Sequence, residues 1–98
     1  MTKEEILFYL AEHKSEFLKK FDIVSLGLFG SFAKGNHSDS SDIDILIELK
    51  PDTDNVYSKK KAFKAELEDY FQRKVDIARE KYLNPLAKQS IMDTITYV

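Results

Sequence analysis

The sequence predicts a single α/β domain in the order α-β-α-β-α-β-α, and three observations predict it. Apolar residues recur at helical spacing over residues 3–20 and 56–71. Three short apolar segments rich in β-branched residues, 23–29 (IVSLGLF), 43–49 (IDILIEL) and 74–79 (KVDIAR), alternate with those stretches. The chain's 98 residues, 43% hydrophobic and 12% aromatic, suffice for one core and are too few for two.

Each element has a local reason. In residues 3–20, Ile6, Leu7, Leu10, Ala11, Phe17 and Leu18 make one amphipathic helix, with Thr2 as N-cap and Glu5 three places on as in a capping box. Residues 23–29 are apolar on both faces, which suits a strand covered on both sides. Gly30 ends that strand, residues 31–34 give one helical turn before Gly35, and residues 36–41 are loop by composition. Ile43, Ile45, Ile47 and Leu49 alternate through the second strand, which Lys50-Pro51 closes. Val56, Phe63, Leu67, Tyr70 and Phe71 then fit a helix whose other face carries Lys59, Lys60, Lys64 and Glu68. In the third strand Val75 and Ile77 face one way and Asp76 the other. Asn84-Pro85 starts a last helix over 86–93, and residues 94–98 are extended or frayed.

Composition excludes several function classes. A net charge of −2 with 33% charged residues lacks the basic excess of sequence-independent nucleic-acid binders. The absence of cysteine removes disulfides, thiolate catalysis and cysteine zinc sites. The start, MTKEEILFYL, is acidic where a signal peptide is basic, and no apolar run reaches membrane-spanning length. A cytoplasmic protein with no membrane association is expected.

The segment GSFAKGNHSDSSDID, residues 30–44, carries the chemistry. In an extended chain residues i and i+2 share a face, so Asp42 and Asp44 present both carboxylates to one side, at a sheet edge or end. Asp76 converges on them if its strand is a neighbour. Clustered carboxylate oxygens suit Mg²⁺, which takes one or two carboxylates, substrate phosphates and waters. Two such ions about 3.5 to 4 Å apart would clamp the attacking and leaving oxygens of an in-line phosphoryl displacement, although the same residues could hold one. Gly30 lets backbone approach a phosphate closely, and a helical turn starting at Ser31 offers N–H groups and a hydroxyl. The combination predicts nucleotidyl transfer. Asp76 has two open roles, metal ligand and proton acceptor for the attacking hydroxyl.

Gly30-Ser31, Gly35, Ser41-Asp42-Ile43-Asp44 and the later Asp76 resemble the DNA polymerase beta-like nucleotidyltransferase superfamily, and more narrowly the minimal nucleotidyltransferases of toxin-antitoxin pairs. The resemblance spans the whole chain, 1–98, and implies a small mixed β-sheet with helices packed mainly on one face. It makes Asp42, Asp44 and Asp76 the catalytic, metal-ligating carboxylates and Gly30 and Ser31 the triphosphate contacts. Relatives commonly carry arginine where this chain has Lys34, which keeps the charge at a nucleotide-binding position but loses the bidentate fork. The implied activity is transfer of AMP from ATP to a tyrosine of a HEPN-domain RNase toxin, with the toxin as partner. Larger members enclose base and acceptor with an extra helical domain that this chain lacks, so a partner is expected to complete the site. Two alternatives remain open: an antitoxin that neutralises by binding alone, and a free-standing transferase acting on a small molecule.

Other residues read as structural. His37 is expected as a solvated loop histidine, His13 as a mid-helix residue without function, and Lys59, Lys60, Lys61 and Lys64 as a solvated helix face. Ser31 also suits a helix cap, and Asp39, Asp52 and Asp54 suit turns. Among Tyr9, Tyr57, Tyr82 and Tyr97, core packing is expected for most and a partner surface for any that are exposed.

Overall fold

Alternation in sequence becomes alternation in space at the centre of the sheet. The computed structural model describes residues 1–98. Four strands, β1 (Ile23–Phe29), β2 (Ile43–Leu49), β3 (Val75–Arg79) and β4 (Thr96–Tyr97), lie in the order β3-β2-β1-β4. β1 runs antiparallel to β2 and β4, whereas β2 and β3 are parallel. A parallel pair cannot be closed by a hairpin, which is why a 16-residue helix, Val56–Phe71, joins them. With α1 (Lys3–Glu12), α2 (Lys14–Phe21), α3 (Gly30–Lys34) and α5 (Pro85–Met92), that crossover helix is α4.

One face of the sheet holds the core. Ile43, Ile45 and Ile47 of β2 are buried there with Leu26 and Leu28 of β1, against Leu10, Phe17, Phe63 and Leu67 of the helices. No polar or charged residue is fully buried, so this face is held by apolar packing alone.

The opposite face is covered over only part of its length. Gly27 faces it, and a Cβ at that position would lie 2.8 Å from Ile95 Cδ1 and 3.1 Å from Tyr97 Cδ1. Leu46, on this face by the period of two, is buried outside the helix-packed core. The C-terminal segment therefore lies against this side, where β4 pairs with Gly27 and Leu28. The residues read as extended or frayed thus supply the fourth strand.

The expected single helix over 3–20 is two helices broken at His13. His13 has φ −104° and ψ 7°, and its ring Nδ1 lies 2.9 Å from the Tyr9 carbonyl oxygen that also accepts the His13 backbone N–H at 3.1 Å. The His13 backbone N–H keeps its helical bond to Tyr9, so the break falls just after it, where a ψ of 7° turns the chain out of α1. The Thr2 cap forms as expected, its hydroxyl accepting the Glu5 N–H at 3.1 Å, and Asn84 caps α5 through the Ala87 N–H.

The polar face of α4 is less solvated than its pattern suggests. Lys59 pairs with Asp22 at 2.7 Å and with Asp54 at 3.2 Å. Glu68 accepts the Val75 N–H at 2.9 Å and so fixes the start of β3. Lys60, Lys61 and Lys64 line a shallow groove with Tyr57. Of the four tyrosines considered for the core only Tyr9 is buried; Tyr57, Tyr82 and Tyr97 are exposed.

Candidate active site

Strand register decides whether the three aspartates meet. Asp44 pairs directly with Asp76 across the parallel β2–β3 ladder and with Phe29 across the antiparallel β1–β2 ladder. Directly opposed residues on neighbouring strands lie about 4.8 Å apart, so the two carboxylates share one patch of the partly covered face. Asp42 stands one residue before β2 begins. β2 is interior, so the acidic pair sits at a strand end and not at a sheet edge.

Gly30 closes the third side of the patch. Its φ is +76°, a left-handed value that disfavours any side chain, and a Cβ there would fall 2.1 Å from Asp44 Oδ2. Backbone and carboxylate occupy space that only glycine leaves open. Helix α3 begins at this residue with no side chain capping its first N–H groups, and Gly35 ends it at φ +79°. Ser31 is half-buried beside Gly30, while Lys34 is exposed in the last turn of α3.

The carboxylates are short of positive charge. Burial, then the negative charges of Asp76 and Asp42, push the Asp44 carboxyl up to about 6. The nearest cation is Lys74, whose ammonium is 3.9 Å from Asp42 Oδ2 on a largely exposed side chain. Such a cluster repels itself until a cation binds. Its donor set, carboxylate oxygens alone, is the kind a hard divalent ion selects. No three Asp, Glu, His or Cys side chains are grouped so as to hold a metal ion by themselves, and Mg²⁺ sites completed by substrate phosphates take only one or two carboxylates. The residues fit such an ion.

The site is a shelf, open to solvent. Asp42, Asp44 and Asp76 line none of the four principal grooves of the surface. The groove of about 430 Å³ along α4 lies on the helix surface, away from the carboxylates.

Two features were not expected from sequence. His37 is not a free loop residue: its ring stacks on the buried Phe32 ring at 4.1 Å, and its Nδ1 is buried without a partner. Arg73 donates from Nη1 to the carbonyl oxygens of Ser41 at 2.8 Å and Asp39 at 2.9 Å. No spacing rule could link residues more than 30 positions apart; its place three residues before Asp76 was the one available signal.

Residues 10–98 match the nucleotidyltransferase domain family, and the chain belongs to it. This makes it a nucleotidyltransferase enzyme of small, mixed-sheet type. A relative from Methanocaldococcus jannaschii, carrying the provisional name protein adenylyltransferase MJ1379, is 35% identical over 99% of this chain and 98% of its own. The protein adenylyltransferase MntA of Thermococcus cleftensis is 30% identical over 100% of this chain and 97% of its own. Among solved structures, a chain described provisionally as a minimal nucleotidyltransferase shares the fold with a TM-score of 0.79 at 23% identity, covering 98% of this chain and 95% of that one. A toxin-antitoxin structure with AMP-PNP matches at a TM-score of 0.69 and 19% identity, over 88% of this chain and 69% of that one. No helix is long and apolar enough to cross a membrane.

Proposed function

We propose that this chain is an antitoxin adenylyltransferase that moves AMP from ATP to a hydroxyl of a partner toxin protein. The observation that carries the reading is the register of Asp44 against Asp76 beside Gly30, at the uncovered end of the sheet. Relatives named for protein adenylylation and a structural neighbour that is a toxin-antitoxin complex with AMP-PNP support the nucleotide and the partner class. The resemblance further implies a HEPN-domain toxin and a tyrosine acceptor.

In this reading Asp42 and Asp44 hold Mg²⁺, with Asp76 as third ligand or as acceptor of the attacking hydroxyl's proton. When bound, the ion would neutralise the triphosphate and the charge that builds on the leaving oxygen. Gly30 admits the phosphate chain close to backbone, and the Ser31 hydroxyl donates to a phosphate oxygen. Lys34 contributes positive charge near the phosphates. The acceptor oxygen bonds to the α-phosphorus, the bond from that phosphorus to the β-bridging oxygen breaks, and pyrophosphate departs. An open shelf leaves room for an acceptor carried on another protein, which supports a macromolecular substrate.

The test is transfer of label from α-labelled ATP to the co-expressed partner toxin, comparing wild type with the Asp42→Asn, Asp44→Asn double variant. Loss of label in the variant is expected; undiminished transfer would sink the mechanism. If the variant also rescues cells from the toxin, neutralisation proceeds by binding alone.

A further inference from the structure

Asp42 lies outside the ladder that holds Asp44 and Asp76, so something else must fix it. The peptide groups on both sides of it are held by two consecutive residues. The Ser41 carbonyl, before Asp42, accepts from Arg73 Nη1 at 2.8 Å. The Ile43 N–H, after it, donates to the Lys74 carbonyl at 3.0 Å.

The same guanidinium organises the loop leading to the site. Arg73 Nη1 also donates to the Asp39 carbonyl at 2.9 Å and lies 3.5 Å from that of Ser38. The loop is closed on itself, the Ser41 N–H donating to the Ser38 carbonyl at 3.1 Å and the Ser41 hydroxyl accepting the Ser38 N–H at 2.8 Å. Its inward carbonyls thus converge on one cation. The Arg73 Cζ lies 5.2 Å from the centre of the Phe32 ring, the residue after Ser31 in α3. One side chain therefore touches the loop before Asp42 and the helix that carries Ser31, and it stands two residues before β3, the strand that carries Asp76.

We infer that Arg73 is a positioning residue for nucleotidyl transfer: it locks loop 38–41 against α3 and thereby aims the Asp42 carboxylate at the site. This rests on the functional reading above for its consequence in catalysis, but not for the geometry it asserts. Lysine does not reproduce it, because an ammonium on a flexible stem lacks the flat guanidinium that lies over the Phe32 ring while one of its nitrogens meets the Ser41 and Asp39 carbonyls. Partners that orient metal-ligating carboxylates typically contribute 10- to 100-fold in metal affinity or activity.

The experiment compares wild type with Arg73→Lys and Arg73→Ala in the full chain. Three quantities are read: hydrogen exchange of amides 38–43, Mn²⁺ affinity by electron paramagnetic resonance with a non-hydrolysable ATP analogue, and kcat against KM for ATP in label transfer. For Arg73→Lys we expect exchange at 41–43 to quicken, Mn²⁺ affinity to fall about tenfold and kcat to fall about tenfold, with KM for ATP within about threefold. Added guanidinium ion, below denaturing concentration, should restore part of the Mn²⁺ affinity of Arg73→Ala. Unchanged Mn²⁺ affinity and exchange in a folded Arg73→Lys would overturn the inference, as would loss of thermal stability with Mn²⁺ affinity intact. Wild type that binds Mn²⁺ with the analogue but transfers no label would defeat the functional reading instead, while exchange and Mn²⁺ affinity still decide the role of Arg73.

Discussion

Asp44 and Glu48 stand four residues apart on the same face of β2, and their surroundings have nothing in common. Glu48 is surrounded by donors: Arg79 at 2.9 and 3.2 Å, the Leu49 N–H at 2.9 Å and the Lys81 N–H at 3.0 Å. Burial alone would raise its carboxyl, but these four hydrogen bonds outweigh burial and hold it below the usual range. Asp44 is also partly buried, faces two more carboxylates, and is pushed up to about 6. One carboxylate is finished by the protein. The other is left unfinished, and a partly buried carboxyl raised beside like charges is the pattern that clusters at functional sites.

The comparison breaks first on activity. Asp44→Asn is expected to lower label transfer at least about 10³-fold, equivalent to roughly 4 kcal/mol of transition-state stabilisation. Glu48→Gln should stay within about threefold of wild type, because Glu48 stands four residues from Asp44 and its oxygens are already taken by Arg79 and two backbone N–H groups. Comparable losses from both variants in a label-transfer assay would erase the distinction.

Stability should invert that ranking. Glu48→Ala strands Arg79 and two backbone N–H groups at a side chain only 23% exposed, so about 2 kcal/mol should be lost. For a chain near 100 residues this lowers the melting temperature by about 10 °C, read by calorimetry. An unchanged melting temperature would mean that the Arg79 pair is dispensable.

Sequence made one member of this pair legible and hid the other. Asp42 and Asp44 stood out because the period of two put them opposite Ile43, Ile45 and Ile47, and because Gly30-Ser31 preceded them. The strands and the crossover helix were legible for the same reason, since burial repeats locally. What escaped reading depends on partners distant along the chain or on the backbone of a single residue. Glu48 finds Arg79 31 residues on, and Arg73 finds Ser41 32 residues back. The helix break falls at the backbone of one residue, His13, and the spacing of apolar residues is blind to that. Tyr57, Tyr82 and Tyr97 were weighed for the core on aromatic character alone, yet they remain exposed.

Proton competition offers a sharper cut. A carboxyl titrating near 6 must lose its proton before it can ligate a cation. One competing proton at that value raises the Mg²⁺ concentration for half-maximal activity about tenfold between pH 7 and pH 5. Glu48→Gln should reproduce this slope, since its carboxyl is already ionised in that window. A flat Mg²⁺ requirement across the interval would show that Asp44 does not titrate there.

The smallest expected effect concerns the metal-free fold. Asp44 titrates higher folded than unfolded, about 6 against 3.8, so the folded state binds the extra proton between those values. Its contribution to stability is fully present below about pH 4 and is lost as the pH rises through 6. Glu48 has the opposite sign, because its folded value is depressed: its contribution is present above 4.5 and fades in more acidic solution. In Mg²⁺-free buffer at pH 7.5, Asp44→Asn should therefore melt higher than wild type. The gain is of order 1 kcal/mol once screening at a half-exposed group is allowed for, or about 5 °C. At pH 4 the two proteins should melt together. Saturating Mg²⁺ with an ATP analogue should reverse the order at pH 7.5, because wild type gains binding energy that the variant has lost. A variant that melts lower than wild type in metal-free buffer at pH 7.5 would show that the Asp44 charge is already compensated within the fold, making it a second Glu48.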